Sequence, residues 1–523
     1  MSSPGDRAVD VIDGRLVKPL LVLSLPIIAT NLMQVGYNLA DTFWVGRLGQ
    51  EAVSALSFSW AIVFLLISFS GGFGVAGTVL VAQNKGADNP GRVDHVAGQT
   101  IGFVAALSVV FAGIGYLLAP QLLDLIGAVP GTLEYTLSVE YTRTMFLGIP
   151  FVFGFFIFQG LLQGWGDTRT PMYLMAFGVA LNVVLDPFFI LGFQNNVLFG
   201  ALGLGGLQSS LYAATGFAGF GVQGAALATI LSRGIGTVVA MALLLTGRVG
   251  ITPAVRDFLP ERETVAKIVR IGAPSSVEQS TRAVGVTILT ALVALAGQEA
   301  VAAYGIGNRL TTLVFLPAMG LARGTETVVG QNLGADQIDR AKRAVFASIG
   351  LIAVVLGLVS AAVVVFAEPL TSVFITGENA GAVVAIGTEY LQIVGLTFVF
   401  VGGFRVVQGA FRGSGSTQTA MAFSVLSLLV LRAPPAYALV EWFDMGATGV
   451  WYGIAFSNVA IFVLAGAWFL RGTWTDAVVD SAGSPPGMGP APADGGHEGD
   501  SHTGDGPAPD APVPDDDVPA EDD

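Results

Sequence analysis

Long apolar runs alternate with short polar ones from residue 19 to residue 470. Twelve such runs lie near 19–45, 52–81, 95–119, 138–163, 171–193, 223–246, 266–294, 301–330, 341–366, 388–412, 419–440 and 448–470. About 20 apolar residues, rising about 1.5 Å each, cross the hydrocarbon layer of a bilayer, so every run predicts one spanning helix. The first run is too long for a signal peptide and lacks a small-residue cleavage pattern, so it is kept as span 1. Composition agrees: 53% of residues are apolar and 12% charged, which excludes an ordinary soluble domain.

Charge adds an orientation. Lys and Arg gather before span 1 (Arg7, Arg15, Lys18) and after spans 2 (Lys85, Arg92), 4 (Arg169), 6 (Arg248 to Arg270) and 8 (Arg340, Lys342, Arg343). Arg47 and Arg143 depart from this alternation. The bias predicts a multi-pass cell-membrane protein with both termini in the cytoplasm. Of the net charge of −14, a balance of −12 comes from residue 471 onward, a Pro-, Gly- and Asp-rich stretch expected to be disordered. Twenty Arg against four Lys, with this acidic tail, suits a salt-loving archaeal source. The absence of Cys excludes disulfide and thiol chemistry.

The chain contains the same half twice. Gly49-Gln50-Glu51-Ala52-Val53 recurs as Gly297-Gln298-Glu299-Ala300-Val301, and Gln83-Asn84 as Gln331-Asn332, both at an offset of 248. Pro26 matches Pro274, and later Gly164, Gly166 and Thr168 match Gly413, Gly415 and Thr417. Six helices per half is an even number, so the halves run parallel. The prediction is an all-α polytopic membrane protein, two six-helix bundles related by a pseudo-two-fold axis along the membrane normal. Its segments are a cytoplasmic N-terminal stretch (1–16), a first lobe (17–247) with an extracellular insertion within 194–219, a cytoplasmic linker (248–263), a second lobe (264–470) and the tail (471–523). The insertion suits a lipid-touching hairpin better than a lid. Parallel repeats of this kind belong to transporters, with a substrate cavity between the halves.

Candidate chemistry sits inside the apolar runs. A charge at mid-membrane costs about 2.5–3.5 kcal/mol or more, so Asp41 and Asp186 mark function. Asp41, Asp186 and Thr229 lie six to eight residues from the same end of their helices, about 9–12 Å deep. Asn182 shares a helical face with Asp186. Gln34, Asn38 and Asp41 form a polar stripe on span 1, with Tyr37 beside it. Two acids at one level repel and lose hydration, so either a proton or a cation stabilises them. Asp41, Asn182, Asp186 and Thr229 offer oxygen acceptors that suit Na⁺. The repeat-mates Leu289, Leu428, Arg432 and Ile454 lack the cluster, so the cation-responsive element belongs to half 1. In half 2, Glu278 and Arg282 are spaced for an ion pair, and Arg432 lies deep. Arg405 reads as a snorkelling structural residue. The Phe residues of span 4 read as core or lipid-facing, and His95 as a loop residue without a specific role.

Pro26, Asn38-Leu39-Ala40-Asp41-Thr42, Gln83-Asn84, Gly166-Asp167-Thr168-Arg169-Thr170-Pro171, Asn182 with Asp186-Pro187, and Gly224-Ala225-Ala226 leading to Thr229 follow in order. On these residues the chain resembles multidrug and toxic compound extrusion (MATE) transporters, in particular archaeal members related to the DNA-damage-inducible branch. The resemblance implies that the half 1 cluster is the cation site, with a main-chain oxygen at Ala225, and that a bend at Pro26 follows the state of the nearby acid.

No phosphate-binding loop appears, and the loops are too short for an ATPase domain. The expectation is therefore a H⁺- or Na⁺-coupled exporter working by alternating access, and not an enzyme. It would act as a monomer in the lipid bilayer on a small cationic or amphiphilic organic substrate, with no cofactor and no nucleic-acid partner. One alternative is a flippase for a lipid-linked anionic substrate, with Arg282, Arg405 and Arg432 lining a cationic half-cavity. Another is a non-transporting receptor or scaffold.

Overall fold

The computed structural model describes residues 8–194, 196–375, 380–476 and 478–479. All regular structure among them is helical. The first half holds α1 (Val17–Val45), α2 (Gln50–Gly86), α3 (Pro90–Leu125), α4 (Leu133–Trp165), α5 (Arg169–Leu191), two short helices α6 (Val197–Ala201) and α7 (Gly205–Thr215), and α8 (Val222–Leu245). The second holds α9 (Arg262–Ala294), α10 (Gln298–Gly334), α11 (Ile338–Val365), the short α12 (Ala367–Ser372), α13 (Ala380–Gly395), α14 (Phe398–Gly413), α15 (Thr417–Leu429), α16 (Ala433–Glu441) and α17 (Gly446–Leu470).

Nine spans among the described residues are long and apolar enough to cross a membrane alone, and α13 with α14, bent by 51°, makes a tenth. The other two of the twelve are α9 and α10. Both carry charge at mid-helix, Glu278 and Arg282 on α9, Arg323 and Glu326 on α10. Those groups face protein and cavity, where membrane charge is tolerated. The predicted spans 10 and 11 are each broken rather than straight. Pro434 and Pro435 come one residue after Arg432; neither has an N–H to donate back into the preceding turn, so α15 stops at Leu429 and α16 restarts at Ala433 with the prolines in its first turn.

The halves meet tightly at the end of the bundle that carries the N-terminal segment. A Cβ on Gly86 would sit 1.9 Å from the Gln331 carbonyl oxygen, and one on Gly334 would sit 1.9 Å from that of Gln83. Only glycine lets α2 and α10 cross so closely. The repeated glutamines then tie each half to the other: Gln83 Nε2 donates to the Gly413 carbonyl at 3.1 Å, and Gln331 Nε2 to that of Gly164 at 2.8 Å. The motif that revealed the repeat is thus the clasp between its copies. Elsewhere α1 lies against α10, with Gly320 and Gly324 making room for Ile28 and Ser24.

One segment differs from expectation. The start of the acidic tail is ordered: Trp474 is buried, stacks on Phe469 at 4.7 Å, and donates to the Phe469 carbonyl. The Val478 N–H donates to Gln83 Oε1 at 2.7 Å, joining the clasp. An apolar Trp overrides the polar composition around it. The remainder of the tail lies outside the described residues. The insertion folds back on the end of α5, held by the Phe193 N–H to Phe217 carbonyl bond and a chain of edge-on Phe contacts from Phe188 to Phe220.

Candidate functional site

The first-half cluster assembles. Asp41, Asn182 and Asp186 are buried, and Asn182 Nδ2 donates to Asp186 Oδ1 at 3.0 Å. Asp41 lies beside both Asp186 and Asn182. The helices can approach because Gly224 of α8 has no side chain; a Cβ there would meet the Phe189 carbonyl of α5 at 2.2 Å. Three oxygens, Asp41 Oδ1, Asn182 Oδ1 and Asp186 Oδ2, are buried without any donor. Buried acceptors almost always find one, which sets these three apart.

The supporting residues form a second shelf beside the acids. Tyr37 Oη donates to Thr229 Oγ1 at 2.6 Å, so Thr229 joins the cluster through Tyr37. Ala225 is fully buried one helical turn before Thr229. Gln34 Nε2 donates to Asn38 Oδ1 at 3.0 Å. Pro26 is buried inside α1, which stays helical through it; the Pro26 carbonyl accepts from Thr30 Oγ1 at 2.8 Å. Tyr141, buried on α4, faces both acids.

The strongest group missed from sequence is Arg233, one turn beyond Thr229 on α8 and buried. Its Nη2 donates to Gln34 Oε1 at 2.5 Å, and its guanidinium lies over the rings of Tyr37 at 5.2 Å and Phe155 at 4.7 Å. It has no salt-bridged carboxylate among the described residues, yet its field reaches Asp41. Cation–π contact, the Gln34 amide and the Met175 sulfur at 3.1 Å hold it in place. A lone Arg inside an apolar run is as costly as a lone Asp, and that signal was present in the sequence.

The second half is built differently. Glu278 Oε1 pairs not with Arg282 but with Arg412 Nη1 at 2.7 Å, while Arg412 Nε bonds Glu326 Oε2 at 2.9 Å. One planar guanidinium bridges two buried carboxylates, a geometry an i,i+4 neighbour on α9 does not match. Arg282 is left with the Met319 sulfur at 3.8 Å. Arg405 does not snorkel outward; it lines a cavity and bonds only Gln408 Oε1, at 3.1 Å. Arg432 is fixed by Ser457 Oγ at 2.8 Å and Asn458 Oδ1 at 2.7 Å. A cavity of about 190 Å³ collects Arg282, Arg405 and Arg432 with Tyr304, Tyr390 and Asn458. A second, of about 230 Å³, opens between the halves and shares Glu278, Arg282 and Arg405.

A family model described as MatE matches residues 26–188 and 274–438, one copy in each half. The chain belongs to the MATE family. A probable multidrug resistance protein of Bacillus subtilis, YoeA, is 28% identical over 434 residues, which is 82% of this chain and 88% of that protein. A multidrug resistance MATE transporter solved in an outward-facing conformation superposes with a TM-score of 0.79 at 26% identity, over 90% of this chain and 98% of that one. A transporter of Pyrococcus furiosus, whose binding pocket is described as of reverse polarity, suggesting a different function, superposes at 0.78 and 26% identity, over 89% and 98%. This MATE protein is therefore a multi-pass membrane transporter and not an enzyme, with the two-bundle layout expected from its sequence.

Outside the spans, His95 proves to be a bridge. Its Nδ1 meets Asp257 Oδ1 at 3.1 Å and its Nε2 meets Glu261 Oε2 at 2.6 Å, tying the start of α3 to the linker between the halves. Burial alone would raise the Asp257 carboxyl, but hydrogen bonds from His95 and the Ala254 N–H outweigh it and hold it below the ordinary range. Glu261 is held low by the Thr264 hydroxyl and then by His95. Of the α4 phenylalanines, Phe153, Phe155 and Phe158 are buried and Phe151 is exposed, whereas Phe156 lines the cavity between the halves.

Proposed function

We propose that this MATE-family protein is a secondary-active exporter of small organic compounds, driven by H⁺ or Na⁺ through the first-half acids. The observation that carries this reading is the trio of donorless buried oxygens on Asp41, Asn182 and Asp186. A Na⁺ among the oxygens satisfies all three, a proton shared by the two carboxyls satisfies the two acid oxygens, and either removes the repulsion between the acids. In this reading both termini face the cytoplasm. The glycine–glutamine clasp then closes the cytoplasmic side, and the cavity between the halves opens outward. Loading of Asp41 and Asp186 favours the arrangement that releases substrate, since a ligand shifts only equilibria whose states it binds unequally. Both cavities are built from one chain, which supports action as a monomer. The name of YoeA, a multidrug resistance protein, supports an organic substrate.

The test is transport by full-length protein in proteoliposomes, with a proton gradient and a Na⁺ gradient imposed separately. One of them drives substrate movement, and Asp41→Asn abolishes that movement while the protein remains folded and inserted. Unimpaired gradient-driven export by Asp41→Asn overturns the coupling role.

A further inference from the structure

The second-half cavity is the pseudo-symmetric copy of the acid site, with its charge inverted. The repeat offset of 248 turns Gln34 into Arg282 and Asp41 into Leu289. The local match that aligns Val184-Leu185-Asp186 with Val430-Leu431-Arg432 turns Asp186 into Arg432 and Asn182 into Leu428. Leu289, Leu428, Arg282 and Arg432 all line the same cavity. Thr229 and Arg233 become Ile454 and Asn458, which line it as well.

The balance of charge there is one-sided. Glu278 also lines this wall, but Arg412 neutralises it. Among the described residues, Arg282, Arg405 and Arg432 have only neutral hydrogen-bond partners: a thioether, a side-chain amide, and a hydroxyl with an amide. Arg282 and Arg432 both lie near enough to Arg405 to repel it, and Glu278 offsets that repulsion only in part. Three guanidiniums gathered around a single carboxylate that is already salt-bridged to Arg412 are held apart from their natural partners at a substantial price. An incoming anion removes the repulsion and accepts planar, paired N–H donors. Room for the rest of such a molecule lies next door. The cavity between the halves shares Arg282 and Arg405 and continues along Ile27, Ile67, Phe156 and Met319.

We infer that the substrate of this transporter is an organic anion with an apolar body, its carboxylate or phosphate group held by Arg282, Arg405 and Arg432 and its body lying between the halves. The inference deepens the transport reading above and rests on it for the word substrate; the binding itself does not require coupling. The same chemistry is offered by a soluble organic anion and by an anionic lipid headgroup, and the assays separate them.

The test uses purified full-length protein in nanodiscs without any gradient. Binding of carboxyfluorescein, a soluble anion, is followed by fluorescence anisotropy beside ethidium, a cation. Arg282→Gln is the main variant, because Arg282 holds nothing but a sulfur and its loss should leave the fold intact. Loss of one charge-assisted contact of about 1.4 kcal/mol weakens binding about tenfold. Leu289→Asp places an acid in the same cavity and should weaken it at least as much. Arg405→Lys should retain more affinity than Arg405→Gln. A parallel assay follows inward and outward movement of fluorescent phosphatidylglycerol in proteoliposomes. Arginine-dependent handling of carboxyfluorescein alone supports a soluble anion, of the lipid alone a headgroup, and of both the shared chemistry. Binding of ethidium with no arginine-dependent handling of either anionic probe overturns the proposal. Asp41→Asn keeps carboxyfluorescein binding if the anion site stands, whether or not that variant transports, so the two readings fail separately.

Discussion

The two halves of this molecule share helices, loops and even the spacing of their glycines, but not their charges. In the first half the buried acids Asp41 and Asp186 lack a salt-bridge partner, and three of their cluster's oxygens lack donors. In the second half the acids Glu278 and Glu326 are each salt-bridged to Arg412, although Glu278 Oε2 has no partner, and it is the arginines facing the cavity that have no salt-bridged acid among the described residues. Duplication supplied two equivalent sites; substitution at a handful of positions left buried acids in one and arginines in the other. What stayed identical is the clasp, where Gln83 and Gln331 make the same bond to the opposite half. The difference teaches that scaffold and chemistry separate cleanly here. Close helix crossings tolerate no variation, whereas the pocket walls tolerate inversion of charge.

Breaking the engaged acids should have the largest effect. Arg412→Leu leaves Glu278 buried without its cation and Glu326 with only Arg323 at 3.3 Å, and should destabilise the protein by about 3–5 kcal/mol, read as a fall in thermal unfolding temperature of the solubilised protein. An equal stability would mean that the second half does not depend on internal neutralisation. The shared feature sharpens the contrast next. Gly86→Ala and Gly334→Ala each place a methyl group against a carbonyl oxygen and should each cost about 1–3 kcal/mol. The two losses should match within error, since the crossing is the same in both copies; unequal losses would show that the symmetry is only apparent.

The smallest effect is expected outside the membrane, at the strap that joins the halves. Asp257 and Glu261 titrate below their ordinary values when folded. Their contribution is therefore present above about pH 4 and is lost as pH falls through their folded values. Glu261 and His95 are partly exposed, so solvent screening keeps the contribution small. His95→Asn should flatten the acid limb of a stability-against-pH curve below about pH 4 and leave the neutral region nearly unchanged. An unaltered acid limb would remove His95 from the account.

How much of this was legible beforehand follows from what each residue needs. Asp41 and Asp186 stand out because a carboxylate in an apolar run is rare and costly, and helical rise alone placed them at one depth. Arg233 carried the same signal and was overlooked beside the acids. The breaks of spans 10 and 11 were partly visible: Pro434-Pro435 announces one, whereas nothing local announces Thr397, whose hydroxyl is engaged by Asn458 at 2.9 Å across the bundle. The partner of Glu278 was not legible. Spacing along α9 favoured Arg282, but the group that wins, Arg412, is brought in by tertiary packing from 134 residues away. His95 and Trp474 were misjudged for the same reason, since each is fixed by contacts that local composition does not encode.

The central claim, that the first half alone holds the coupling cation, is tested most directly by measuring that cation rather than the substrate. Proton release or Na⁺ binding by the purified transporter can be titrated in the wild type, Asp41→Asn and Arg282→Gln. Loss of cation binding in Asp41→Asn with retention in Arg282→Gln is the result predicted here. Cation binding that survives Asp41→Asn intact, or disappears with Arg282→Gln, would contradict it.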